Sequence, residues 1–243
     1  MAELTETNRK HFDKVASTHQ NDFGELIQTA IRQIRARRHW IGSRWTDTTP
    51  NTEIRLLDYA CGAGTVSKAL APFVSQTIGL DLSANMIKEY ENAADELGLH
   101  GKMQGYQYDL LSPSAETNAR LPSGTLSRFD IIAIGMALHH VSEPGELLRK
   151  FAEHLKPGGV CIVLDMVPGC DGADIEGVLE PEQLDVVKTI GKRGFSEKEM
   201  RTLYAEAGME REFEYVVIEE RFRFMMFGRE FWVTGFLARG ELA

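Results

Sequence analysis

The amino-acid sequence predicts an α/β protein built on a doubly wound, mostly parallel sheet. Short apolar runs alternate with stretches of helical periodicity over residues 54–166, and a small-residue turn separates the first run from the helix after it. Three successive runs also end at or beside an aspartate. In an open parallel sheet, ligands bind at the carboxyl ends of the strands, so these aspartates mark where to look for chemistry.

The elements follow in order. Residues 5–40 carry apolar side chains at helical spacing and predict two helices broken near Asp22 to Gly24. Phe12, Val15 and Ala16 lie on the first, and Leu26, Ile27, Ile31 and Ile34 on the second. A turn-rich linker, DTTPN, leads into a first strand over 54–59, a Gly turn over 61–64 and a helix from Thr65. A second strand over 76–80 runs up to Asp81; the helix over 83–97 should bury Met86, Ile87, Tyr90 and Leu97. A third strand over 103–108 leads to Asp109, then a polar loop over 110–127, a fourth strand over 129–134, a helix over 144–155 and a fifth strand over 160–166. After an insert rich in acids, Gly and Pro over 167–193, Ser196 and Glu199 form a capping box and Gly208 stops the helix. Two further strands, over 212–221 and 230–237, bring the total to seven, joined by a segment in which Phe224 to Phe227 pack on the pocket mouth, in a dimer contact or, the commoner explanation, in the core.

Composition narrows the function classes. The chain has 243 residues and a formal charge of -9, which argues against a broad phosphate-binding face and hence against nucleic acid as partner. The basic cluster from Arg32 to Arg44 reads as a solvated helix face before it reads as an anion patch. Cys61, Cys161 and Cys170 have neither metal-site spacing nor even pairing, which predicts a reducing, cytoplasmic setting. No signal-like or membrane-spanning run is evident.

The turn discriminates between nucleotide-like ligands. From Gly62 the sequence reads GAGTVS, so Ser67 stands where a dinucleotide fingerprint has its third glycine, and Asp58 precedes the turn. Asp58, Asp81 and Asp109 on one rim would repel a phosphate. They suit a ligand that offers an ammonium, a ribose diol and an exocyclic amine, which is the description of S-adenosyl-L-methionine. Singly, each aspartate reads equally well as a cap or turn former.

LLDYACGAG, GLDLSANMI, YDL, FDIIAIGMALHHV and LKPGG, in this order, resemble the class I S-adenosylmethionine-dependent methyltransferases, in particular the small-molecule group that includes the ubiquinone and menaquinone C-methyltransferases. The likeness covers Phe12 to Met166. It implies a Rossmann-like seven-stranded sheet with its last strand antiparallel, an N-terminal helical lid over 1–46, and a methyltransferase domain over 47–243 with a cap insertion near 167–193. It implies S-adenosyl-L-methionine as cofactor and methyl transfer to O, N, S or C of a small-molecule acceptor, by a monomer or homodimer. Asp58 with the loop at Ala60, Cys61, Gly62 and Gly64 should hold the methionine end. Asp81 should take the ribose hydroxyls, with Leu82 and Met86 near the adenine; Asp109 should accept from the adenine amine, with Leu110 against the ring. Gly135 and Met136 should lie under the sulfonium portion. His140, then His139, are the candidates for a general base, and Phe12, His19 and Phe23 for the lid. Ala60 departs from the family's DxGxGxG pattern, and alanine resists positive φ. No NPPY-like tetrapeptide follows the fourth strand, which reads GMAL, and no metal site is expected, since no carboxylate set matches the divalent-metal site of the catechol type; Asp165 at the end of the fifth strand is the one residue that leaves that alternative open. A non-catalytic cofactor-binding regulator and a nucleotide-dependent oxidoreductase are the alternatives.

Overall fold

The computed structural model describes residues 2–42, 44–49, 51–112, 121–169 and 179–243. Parts of the predicted loop over 110–127 and of the insert over 167–193, Cys170 among them, lie outside the described residues. The strands are β1 (Arg55–Tyr59), β2 (Gln76–Asp81), β3 (Met103–Gln107), β4 (Phe129–Gly135), β5 (Leu155–Met166), β6 (Arg211–Val217), β7 (Phe222–Met226), β8 (Arg229–Val233) and β9 (Gly235–Glu241). Seven form one sheet in the order β3-β2-β1-β4-β5-β9-β6. Every pair from β3 to β5 is parallel, and β9 runs antiparallel to both its neighbours, as the resemblance implies.

The helices are α1 (Ala2–Ala36), α2 (Arg38–Ile41), α3 (Thr65–Leu70), α4 (Ala84–Glu96), α5 (Pro144–His154) and α6 (Glu197–Glu206). They cover both faces, so the central strands are buried on both sides and alternate between two cores. Leu56, Ile131, Ala133 and Ile162 face the core shared with α1 and α3, while Leu57, Ile132, Ile134 and Val163 face the one shared with α5 and α6. Ser196 and Glu199 make the expected reciprocal capping box, and Gly208, at φ 73°, ends the chain's last helix.

Three expectations change. The predicted break near Gly24 does not occur, and α1 is one helix of 35 residues. A glycine inside a helix costs about 1 kcal/mol; burial of Leu26, Ile27, Ala30, Ile31 and Ile34 on the sheet and stacking of Phe23 on Phe224 more than offset it. Leu97 is 51% exposed, because the helix ends at Glu96 and the chain turns at Gly98. The tail holds four strands where two were expected. β7 and β8 form a separate hairpin, turned at Phe227 and Gly228 with φ of 51° and 72°, the primed geometry that matches strand twist. This hairpin packs on α1.

Arg32, Arg35 and Arg38 of the basic cluster find partners within the molecule. Arg35 donates to the carbonyls of Lys68 and Ala69 at the carboxyl end of α3, Arg32 pairs with Glu220, and Arg38 pairs with Asp47 while lying over Phe73. Among the described residues no helix is long and apolar enough to cross a membrane.

Candidate active site

A cavity of about 480 Å³ opens over the carboxyl ends of β1, β2 and β4, between these strands, α1 and the hairpin. Its floor is the turn from β1 to α3. That turn winds through three left-handed residues, Ala60, Gly62 and Gly64, at φ of 51°, 50° and 83°. Cys61 N–H donates to Leu80 O at 3.0 Å, and Gly64 N–H to Cys61 O at 2.7 Å. A Cβ on Gly62 would meet no protein atom within 4 Å, so its absence leaves room on the cavity side, whereas one on Gly64 would press on the Tyr90 ring at 3.1 Å. Ala60 holds its left-handed conformation with a Cβ in place, at a strain of roughly 1–2 kcal/mol. Ala60→Gly is therefore expected to leave stability unchanged or raise it by up to about 1 kcal/mol once the added backbone entropy of glycine is counted; a lowered Tm would show that the alanine methyl contributes packing instead.

Asp81, at the end of β2, faces the cavity. It accepts from Gly62 N at 2.9 Å and from Ser83 N at 2.8 Å, yet burial pushes its carboxyl up to about 6, with Asp13 adding to the rise. Asp109 lines the same rim, accepting from Leu111 N at 2.8 Å and Tyr59 OH at 3.2 Å. Leu82, Met86 and Leu111 add apolar wall.

Asp58 is not on this rim. It is buried and turned back to α3, where its Oδ2 accepts from Ser67 N at 2.9 Å and Ser67 Oγ at 2.7 Å. Gly64 occupies the N-cap position of α3 without a side chain to cap it, and Asp58 supplies that acceptor from the neighbouring strand. Of the three strand-end carboxylates, Asp81 and Asp109 line the cavity and Asp58 does not. Gly64 and Leu110 also lie outside its lining, Leu111 taking the place expected of Leu110. Burial raises the Asp58 carboxyl to about 7 despite the Ser67 bonds. An acid whose folded pKa lies above the ordinary 3.8 favours the fold at low pH and loses that contribution as pH rises towards 7. The stability of Asp58→Asn relative to wild type is thus expected to rise from pH 4 to pH 7 by an amount on the order of 4 kcal/mol; a pH-independent difference in Tm would overturn this.

Gly135 and Met136 end β4 against the cavity, Met136 at φ 54° with its N–H donating to Leu164 O at 2.7 Å. The following turn presents both histidines. His139 Nδ1 lies 2.9 Å from Asp165 Oδ1, and its backbone N–H donates to Asp165 Oδ2 at 3.1 Å. Asp165 is fully buried at the end of β5. A carboxylate accepts, so Nδ1–H donates and the lone pair sits on Nε2. His140 Nδ1 lies 2.8 Å from the Thr189 carbonyl, which again places the lone pair on Nε2, and burial holds this imidazole well below its usual pKa. Asn8 ties α1 to this turn, its Nδ2 donating to His140 O at 2.9 Å.

Phe12, His19 and Phe23, the residues expected of a lid, all line the cavity from α1. What holds that helix in place lies beyond sequence reading: Asp13 accepts from Ser83 Oγ at 2.6 Å, and Ser83 is the N-cap of α4. Asp13, Asn8 and Thr189 carry no local signal. Asp165 does, since it ends its strand as Asp81 does, but only the fold brings it to His139. Cys61 is buried with its thiol pushed well above the usual pKa, an inert wall atom.

An open sheet with one antiparallel strand and an acid-rimmed cavity at its switch point is the architecture of a protein that holds a nucleoside-bearing ligand. The chain belongs to the methyltransferase domain family, which it matches over residues 26–212. It is 29% identical over 154 residues to an uncharacterized methyltransferase of Schizosaccharomyces pombe, covering 63% of this chain and 52% of that protein. It is 34% identical over 115 residues to the ubiquinone biosynthesis O-methyltransferase of Caulobacter sp. strain K31, covering 47% and 42%. The chain thus spans about half the length of the curated relatives it matches. In fold it is similar to magnesium protoporphyrin IX methyltransferase of Synechocystis PCC 6803, solved with bound S-adenosylhomocysteine, with a TM-score of 0.61 at 16% identity over 97% of this chain and 98% of that one.

Proposed function

We propose that this protein binds S-adenosyl-L-methionine and transfers its methyl group to a small organic acceptor. The observation that carries the reading is the His139–Asp165 pair on the wall of a cavity whose other end is rimmed by Asp81 and Asp109. The residues present fit the cofactor. Asp81 accepts from the ribose hydroxyls and Asp109 from the adenine amine, with Leu82, Met86 and Leu111 against the ring. The loop at Ala60, Cys61 and Gly62 takes the methionine end, where the missing Cβ of Gly62 leaves space.

When bound, the cofactor supplies a methyl on a cationic sulfur: an acceptor lone pair forms the new bond to carbon while the C–S pair returns to sulfur, leaving S-adenosylhomocysteine. Where the reacting atom carries a proton, His139 receives it at Nε2, and Asp165 offsets the charge the ring gains. We rank His139 ahead of His140, because burial holds the His140 imidazole well below its usual pKa whereas His139 Nδ1 is paired with Asp165. Phe12 and Phe23 cover the site and exclude water. Orientation by these walls supplies most of the effect, up to about 7–11 kcal/mol in well-ordered cases.

The test is incubation of the full chain with methyl-labelled cofactor and small-metabolite extracts, followed by mass analysis of the labelled products. One S-adenosylhomocysteine released per labelled product is the expected result. Cofactor binding by calorimetry with no turnover would favour the non-catalytic reading, and NAD binding in its place the oxidoreductase.

A further inference from the structure

The acceptor end of the cavity has a wall of a particular kind. The rings of His140 and Phe12 meet edge to face at 5.2 Å, and Phe12 lies 6.5 Å from His19. His19 stacks on Phe23 at 4.6 Å and 22°, and Phe23 stacks on Phe224 at 5.3 Å and 17°. Phe224 in turn stacks on Phe231 across the hairpin at 5.5 Å. These rings come from four places in the chain: the turn after β4, residues 12–23 of α1, β7 and β8. They form one unbroken row, and the members from His140 to Phe224 line the cavity.

The row is apolar except at two points. His140 offers Nε2. His19 has an Nδ1 shielded from water with no hydrogen-bond partner, an unusual state for a buried polar atom and one that a bound molecule could relieve. A second unpaired atom, Asn8 Oδ1, sits in the same helix one turn and more before Phe12 and also borders the cavity. None of these groups is charged: burial lowers His19 to about 4 and His140 well below its usual value. The charged side chains that border this half, Lys14, Asp22 and Asp185, are exposed at its mouth.

We infer that the acceptor is an uncharged, planar aromatic or heteroaromatic molecule that lies along the ring row from His140 to Phe224 and carries a hydrogen-bonding substituent read by His19. This rests on the methyl-transfer reading and adds to it the acceptor class and a specificity-determining residue. Ring pairs contribute about 0.5–1.5 kcal/mol each beyond the area they bury, so a flat acceptor gains from the row what a saturated one of equal size cannot. A buried polar atom left unpaired penalises an acceptor that lacks the matching group. An anion or cation would find no counter-charge inside.

The experiment uses the full chain saturated with S-adenosylhomocysteine and four probes on one fused bicyclic carbon skeleton: naphthol, decahydronaphthol, naphthalene and naphthalene sulfonate, titrated by calorimetry. Naphthol is expected to bind at least tenfold more tightly than each of the other three. The variant His19→Phe keeps the stack and removes the polar atom; it should abolish the preference of naphthol over naphthalene while retaining naphthalene itself. Equal binding of decahydronaphthol, tighter binding of the sulfonate, or an unchanged preference in His19→Phe would each overturn the inference. The wild-type comparison stands even if the variant does not fold. Failure of S-adenosylhomocysteine to bind at all would instead overturn the cofactor reading beneath it.

Discussion

Replacing His139 by alanine is expected to lower kcat by roughly 10²- to 10⁴-fold with an acceptor that reacts through O–H or N–H, while the Kd for the cofactor stays unchanged. The size follows from the pairing with Asp165, which fixes the tautomer and leaves the lone pair on Nε2. Asp165→Asn should cost a similar factor, because an amide can donate to Nδ1 and move the ring proton to Nε2, leaving no lone pair towards the acceptor. His140→Ala should change kcat by less than about tenfold, since burial already makes that ring a poor proton acceptor. Single-turnover rates for the three variants check this. Equal losses in His139→Ala and His140→Ala, or none in either, would remove His139 as the base.

Asp81→Ala is expected to weaken cofactor binding by roughly tenfold to a hundredfold, about 1.4 to 2.7 kcal/mol. The upper part of that range reflects its second task, since the carboxylate also holds Gly62 N and Ser83 N and so shapes the turn proposed to receive the methionine end. The same group sets a pH dependence. Burial raises Asp81 to about 6 without ligand, whereas hydroxyls donating to it favour the carboxylate. Binding should therefore strengthen as pH rises through 6, with protons released, and Asp81→Asn should abolish that dependence. Calorimetry in buffers of different ionisation enthalpy measures both. A wild-type affinity that is flat across this range would separate Asp81 from the ribose.

The parallel core was legible because its signals are local. Apolar strands over 54–166, the capping box at Ser196 and Glu199 and the glycines of the turn each follow from a few neighbouring residues. The hairpin was not, because its turn is Phe227–Gly228 and lacks the Asn or Asp that usually announces positive φ at that position. The helix break predicted at Gly24 gave way to tertiary packing, as weak propensities do. The site shows the same division. Asp81 and Asp109 stand where strand ends placed them, but Asp58 faces the other way because its neighbour in space, Ser67, is set by how α3 docks. His139 and His140 are adjacent in sequence and alike in composition; they differ only through Asp165 and Thr189, some 26 and 49 residues distant.

The place of β9 governs how the sheet is assembled. β6 is made before β9 but reaches the sheet only through it, since β9 lies between β5 and β6. During synthesis the first five strands can pair as they emerge, while β6 and the hairpin must wait with the edge of β5 open. Closing that edge needs contacts across 69 to 81 residues, from Met166–Gly235 to Val160–Glu241, and so waits for the last strand of the sheet to be made. Any truncation upstream of Gly235 would therefore remove two strands from the sheet at once and leave β5 as a bare, apolar edge prone to pairing with another chain.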